Sequence, residues 1–208
     1  SAANVMTQFQ RTKIIPEVDA YRYSKLASLA ITKGNKTEYT PSTDDILSKL
    51  LADIAAIQDI IGENEPLIIS MSYPVATILS QAKGVEKILD TTQFAQGGIN
   101  MKVQSLDGTP IKRVPSARFK TAYVFNDGKT SGQTAGGFTP ASDAKDINWI
   151  ITAARAPIAV SKTDNMKIFE PAVNQTADAW LIEYRKYHDL WVPDNKLDAV
   201  WVCVKSAS

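Results

Sequence analysis

Apolar residues recur at helical spacing through the first 33 positions: Val5, Met6 and Phe9, then Val18, Tyr21, Leu26, Leu29 and Ala30. Pro16 interrupts the run, because it lacks an amide hydrogen and its ring crowds the preceding turn. The pattern therefore predicts a kink at Pro16 or a second helix opening on it, with Glu17 and Asp19 at the positive end of the helix dipole. Gly34-Asn35 predicts the stop. A second helix is predicted over 42–61. Ser42 is placed to cap it, with Asp45 three residues on in the manner of a capping box. Ile46, Leu47, Leu50, Leu51, Ile54 and Ile61 form its apolar stripe, and Gly62 follows it.

Beyond residue 65 the period shortens. Residues 66–71 read as a short buried strand and 74–82 as a short helix ended by Gly84. Ile99, Met101 and Val103 alternate with Asn100, Lys102 and Gln104, as in a half-buried strand. Asp107-Gly108 predicts a turn, and 110–114 the returning strand. Residues 126–137 hold no large apolar side chain, so 126–146 reads as a long loop, either disordered or engaged at a subunit contact. The last third reads as strands over 147–152, 156–161, 166–169 and 180–192. Trp180, Ile182 and Tyr184 share one side of the last of these. Pro193 to Lys196 reads as a turn from which 199–205 pairs back. Strands and helices in this order predict an α+β protein.

Composition narrows the choice of function. The chain has 208 residues, enough for a sizeable core, and a formal net charge of +1. Phosphate neutralisation on nucleic acid usually requires a basic excess, and the nearest thing here is Lys112-Arg113 with Arg118 and Lys120 nearby. No apolar run reaches the roughly 18 residues of a membrane-crossing helix. The opening Ser1-Ala2-Ala3, in place of Met, points to a processed chain, a truncation or a tag remnant.

Candidate chemistry is thin. Cys203 is the one cysteine and His188 the one histidine. Together they supply neither a disulfide nor a thiolate or multi-histidine metal site. Cys203 lies in an apolar run and reads as a buried thiol. His188 reads as a strand histidine satisfied by its neighbours. Asp44, Asp45, Asp53, Glu63 and Glu65 are the candidate paired carboxylates, and the first three read as solvated acids on a helix's polar face. No phosphate loop, dinucleotide fingerprint or nucleophile elbow occurs. The expectation is a protein that is not an enzyme, with no metal and no cofactor. The four tryptophans, Trp149, Trp180, Trp191 and Trp201, all lie in the last third, with Tyr184, Arg185 and Tyr187. About half of these aromatics are expected in the core, and Trp, Tyr and Arg are also the types that dominate protein–protein interfaces.

Three stretches carry a family resemblance. Residues 171–180 (PAVNQTADAW), 184–192 (YRKYHDLWV) and Asp194-Asn195-Lys196 resemble the end of major capsid proteins from phages and prophages of Gram-positive bacteria. Residues 11–22 (RTKIIPEVDAYR) resemble that family's opening of a long spine helix, and 97–115 is similar to its middle segment. The resemblance implies the Hong Kong 97-type capsid fold. Residues 1–33 and 166–208 would be the peripheral domain and 34–165 the axial domain, with the family's N-terminal arm and extended loop absent. It implies a coat protein that assembles into pentamers and hexamers of an icosahedral head around the phage DNA, built in the bacterial cytoplasm and carried in the virion. An encapsulin-like compartment shell is the alternative on the same fold. The implied partners are further copies of the chain, with scaffold and portal proteins, and neither a specific nucleic-acid sequence nor a membrane. Arg185, Trp191, Tyr187 and Arg22 are the expected subunit-interface residues. Lacking the arm and loop, this chain alone is expected to stay monomeric or a small oligomer, with a mobile 126–146 loop.

Overall fold

The computed structural model describes residues 2–85, 89–96 and 99–207, and side chains over 4–85 and 104–207. Gly97 and Gly98 lie outside the described residues, as do the side chains of the alternating Ile99, Met101 and Val103.

The chain opens with α1 (Ala2–Phe9), a π-helical turn (Gln10–Ile14) and α2 (Ile15–Lys33). Both features expected of Pro16 occur at once. Pro16 sits in the first turn of α2, and the turn before it is widened, with the Ile15 N–H bonding the Gln10 carbonyl five residues back. A proline ring clashes with the carbonyl four residues before it, and a π turn relieves such a clash without ending the helix. Gly34 stops α2 at φ 92°. The Asn35 N–H then closes on the Ala30 carbonyl at 2.9 Å, the six-to-one bond of a Schellman stop. Asn35 does more than end a helix. Its buried amide donates to the carbonyls of Leu197 and Val200, which ties the helix end to the C-terminal strand.

Among the described residues the remaining elements are β1 (Lys36–Glu38), α3 (Ile46–Ile61), β2 (Leu67–Ser72), α4 (Tyr73–Ser80), β3 (Leu89–Gln96), β4 (Ile99–Leu106), β5 (Thr109–Val114), β6 (Tyr123–Phe125), β7 (Phe138–Pro140), β8 (Ile147–Ala153), β9 (Ile158–Phe169), β10 (Leu181–Trp191) and β11 (Val200–Val204). Seven strands form one sheet in the order β1-β11-β8-β2-β5-β4-β3, parallel at β1–β11 and β2–β5 and antiparallel elsewhere. The protein is thus mixed α and β, compatible with the expected class.

The sheet is covered on both faces. Ser70 of β2 reaches Tyr23 of α2, while the neighbouring register positions on β8 and β1 send Trp149 and Thr37 to Asp53 of α3. So α2 lies on one face and α3 on the other. All seven residues of β8, the polar Asn148 and Thr152 included, are buried, as in a strand covered on both faces.

The structure revises several expectations. Helix α3 starts at Ile46, four residues later than its Ser42 cap predicted. Ser42 Oγ accepts only the Asp44 N–H, and the Asp45 carboxylate that would have completed the box accepts the Tyr39 hydroxyl at 2.6 Å. The predicted strands 156–161 and 166–169 merge into one, β9, which begins only at Ile158. The intervening Lys162-Thr163-Asp164-Asn165 looks like a turn because Asp and Asn are rare in strands, yet here they lie in an exposed ribbon. The 199–205 segment does not pair back on β10. Its apolar residues are buried between β1 and β8, where both faces are covered. The 126–146 loop is a hairpin of β6 and β7 with a hydrogen-bonded tip: Asn126 bonds Gly137, and the Asp127 carboxylate accepts the amides of Lys129 and Thr130 and the Thr130 hydroxyl. The Asp107-Gly108 turn is as expected, with φ 48° and 81°, the left-handed pair of a type I′ hairpin.

Of the predicted α3 stripe, Ile46, Leu50 and Ile54 are buried and Leu47 and Ile61 half-buried, but Leu51 is exposed; Ile57, outside the predicted stripe, is buried with the first three. Leu50→Ala is therefore expected to cost about 2–5 kcal/mol as a core truncation. A denaturation difference below about 0.5 kcal/mol, typical of surface sites, would show that the stripe does not pack this way.

Candidate subunit interface

Strands β9 and β10 form a ribbon of their own; among the described residues they pair only with each other. Ribbons of two strands are marginal alone, so what anchors this one matters. Its register places Leu181 opposite Phe169 and Trp191 opposite Ile158, with one irregularity between Tyr187 and His188, where Lys162 is the extra residue on β9.

The ribbon is pinned at its base by Asp189. Its carboxylate accepts the Tyr21 hydroxyl and the Lys25 ammonium of α2, each at 2.7 Å, and also the Leu190 N–H and the Trp191 indole N–H. The hydrogen bond from Lys25, then that from Tyr21, holds the Asp189 carboxyl well below the usual range. That contribution is present above the ordinary aspartate pKa and is lost as pH falls through the depressed folded value. Asp189→Ala is expected to speed hydrogen exchange at the ribbon base, around 158–161 and 188–191, while β8 and β11 keep their protection. Unchanged exchange at the base would show that this carboxylate is not the pin.

Farther along, Ile182 and Tyr184 line a pocket of about 190 Å³ together with Val5, Met6 and Phe9 of α1. The alternation expected for Ile182 and Tyr184 holds; Trp180 precedes the strand and is exposed.

Three of the four expected interface residues share the other face of the ribbon. Arg185, Tyr187 and Trp191 alternate along β10, with Tyr187 58% and Trp191 54% exposed. Arg185 and Tyr187, with Thr163, Asn165, Lys167 and Glu183, line a groove of about 480 Å³. Arg22 is not with them. It lies on α2, half buried, and its Nε has no hydrogen-bond partner.

The acid–base candidates also sort themselves. His188 stands edge-on to Tyr21, with ring centroids 5.2 Å apart, and its Nδ1 is buried without a partner, so it is packed but not satisfied by hydrogen bonds as expected. Burial, followed by the nearby Arg22 charge, lowers its pKa. Cys203 is buried as expected, and burial pushes its thiol up to about 12.

Asp53 corrects the reading of a solvated acid. It is buried and accepts the Trp149 indole N–H at 2.8 Å and the Thr37 hydroxyl at 2.7 Å, and the Trp201 indole N–H in turn donates to Thr37. Asp53 falls on the same helix face as Leu50, Ile54 and Ile57; that phase was the available signal. Of the six aromatics, about half of which were expected in the core, only Trp149 is there; Trp201 and Tyr184 are half-buried, and Trp180, Tyr187 and Trp191 are exposed. Among the described residues no three of His, Cys, Asp and Glu stand together as a metal site, and no helix is long and apolar enough to cross a membrane.

No protein-family model matches the chain, and no curated protein matches it. Among the described residues the one buried carboxylate, Asp53, is enclosed by the side chains it holds; large apolar side chains left in solvent lie on the ribbon and its tip, and also on α1, α2, α3, α4 and β6.

Proposed function

We infer that this chain is a structural subunit that self-assembles, a major capsid protein with the Hong Kong 97-type fold, forming pentamers and hexamers of a phage head. The observation that carries the reading is the β9–β10 ribbon. It sets Arg185, Tyr187 and Trp191 in solvent on one face, is pinned at its base to α2, and lies beside a sheet whose own faces are already covered. Aromatic and arginine side chains held out in this way are costly to an isolated chain and useful at a contact. The segments that resemble capsid proteins are 11–22, 97–115, 171–180, 184–192 and 194–196, and the exposed ribbon residues Arg185, Tyr187 and Trp191 fall within one of them. Residues 1–33 with 166–208 would form the peripheral domain and 34–165 the axial domain, and the assembled particle would be the virion shell.

The test is to express the gene product and image it by electron microscopy. Closed icosahedral particles with the ribbon at subunit contacts are expected. A product that stays monomeric under all assembly conditions would overturn the reading. Closed particles that enclose a protein cargo instead of DNA would move it to a cellular compartment shell.

A further inference from the structure

The ribbon slips its ladder beside the histidine. His188 follows directly on the irregularity at Tyr187, opposite Ser161 and next to the extra residue Lys162. An interrupted ladder is where a two-stranded ribbon bends most easily. On its α2 side the imidazole stands edge-on to Tyr21, and Phe125 of β6 packs on Tyr21 in turn, with centroids 5.9 Å apart. The residue after it is Asp189, which accepts the hydroxyl of that same Tyr21. One imidazole therefore lies between the bend of the ribbon and its pin.

The ring is seated in a way that suits one protonation state. Its Nδ1 is buried without a hydrogen-bond partner, and so is Nε of Arg22, the neighbour of Tyr21 on α2. In the imidazolium both ring nitrogens are donors, so Nδ1 would become a buried donor with no acceptor. The surrounding charges oppose the proton as well. Helix α2 brings Arg22 and Lys25. Strand β10 brings Lys186, paired with Asp164 of β9, and Asp189. Strand β9 sets the uncharged Ser161 in register and leaves Lys162 exposed, and β6 reaches Tyr21 with the uncharged Phe125. Asp189 favours the charged ring, but its carboxylate already accepts Lys25, Tyr21 and the N–H groups of Leu190 and Trp191. Burial, then Arg22 and Lys186, outweigh it and lower the His188 pKa.

We propose that His188 is a pH-sensitive latch: neutral, it seats the ribbon on α2, and protonated, it releases the ribbon to swing at the bulge, carrying Arg185 and Tyr187 with it. A released histidine titrates near about pH 6.5. The seated ring holds its proton less firmly, so the preference for the seated ribbon is complete above that value. It is lost as pH falls from there through the lower value of the seated ring, with opening rising by at most about tenfold per pH unit, the limit for one proton. The Asp189 carboxyl is held well below the usual range, so the pin itself stays ionised throughout this window. The hinge belongs to a single chain and does not depend on assembly.

His188 is the one histidine in the sequence, so its ring gives a single histidine signal in a proton NMR titration. The wild-type midpoint should lie below the ordinary histidine value, and Arg22→Gln should move it up. Amide exchange is then compared between proteins at each pH from about 7.5 to 5.5, across the ordinary histidine range. In wild type, protection around 161–164 and 185–188 should fall toward the acid end, while 189–191 stay protected by the pin. His188→Phe keeps a ring beside Tyr21 but cannot titrate, and in it the fall should vanish. His188→Gln serves the same purpose if circular dichroism shows the Phe variant unfolded. In Arg22→Gln the fall should be smaller, because the seated ring then titrates nearer the released one. A wild-type midpoint at or above the ordinary value, protection at the bulge that does not change with pH, or a fall that persists without His188 would each overturn the latch.

Discussion

Trp149→Ala is expected to be among the most destabilising single changes in the protein, at about 3–5 kcal/mol. Trp149 is fully buried in the middle of β8, at the sheet's centre, with Tyr39 tilted against it at 5.9 Å between centroids. Truncation opens a cavity where β2, β8 and β11 are held between α2 and α3, and such a site has little room to collapse. It also removes a donor from a buried carboxylate, since the Trp149 indole N–H bonds Asp53. Trp149→Phe separates the two effects. It keeps most of the packing and drops the hydrogen bond, so its cost should be smaller, about 1–3 kcal/mol. Chemical denaturation of the two variants beside wild type is the measurement. Equal losses in both would mean that the hydrogen bond, not the volume, carries the site.

The second large effect is at Asp53. Asp53→Ala leaves the Trp149 indole N–H buried and unpaired, at about 1–3 kcal/mol, and removes the acceptor of the half-buried Thr37 hydroxyl, which still accepts the Trp201 indole N–H. Asp53 and Trp149 share one bond, so the double variant should cost clearly less than the sum of the singles; additive losses would show the two sites to be independent.

A pH arm tests the charge. Burial raises the Asp53 pKa, outweighing the hydrogen bonds from Thr37 and Trp149 that lower it. The folded protein therefore holds this proton more firmly than the unfolded chain does. Stability from that source is complete below the ordinary aspartate pKa and is lost as pH rises through the folded value. The unfolding free energy of wild type minus that of Asp53→Asn should thus be largest at the acid end and shrink toward neutral pH. A difference that grows toward neutral pH would mean that the folded state favours the ionised carboxylate.

Asp53 also marks where the sequence stops being legible. Most of the α3 stripe, the stop at Gly34-Asn35, the Asp107-Gly108 turn and the strands β2, β4, β5, β8 and β11 follow from periodicity and turn chemistry, which are local; β1 and β3 carry no such signal. An aspartate on the apolar side of a helix looks like an irregularity until its donors are known, and those donors are 16 and 96 residues away in the chain. The same limit applies to Asp45, whose carboxylate is taken by Tyr39 in place of a helix cap, and to the polar run in β9, where strand pairing overrides weak propensity. The exposed aromatics of the candidate interface were legible as residue types. Their gathering on one ribbon face was not, because the 166–169 segment was read apart from the strand it continues. Arg22 lies on α2, half-buried, and its charge is near His188 of β10 and not among the groove residues.

The widened turn ahead of Pro16 has a consequence for how one helical rod serves two partners. A regular helix advances about 100° per residue, so the one additional residue of a π turn rotates everything before it by about that angle relative to everything after. Without that offset, the side of α1 bearing Val5, Met6 and Phe9 would continue the side of α2 that faces the sheet. With it, α1 turns toward Ile182 and Tyr184 on the ribbon while α2 keeps Tyr23, Leu26 and Ala30 in the core. The π turn is a phase shifter. Removing one residue from 10–14 would leave a straighter rod of similar length whose first two turns point the wrong way, and the ribbon would lose the apolar support that lies beyond its Asp189 pin.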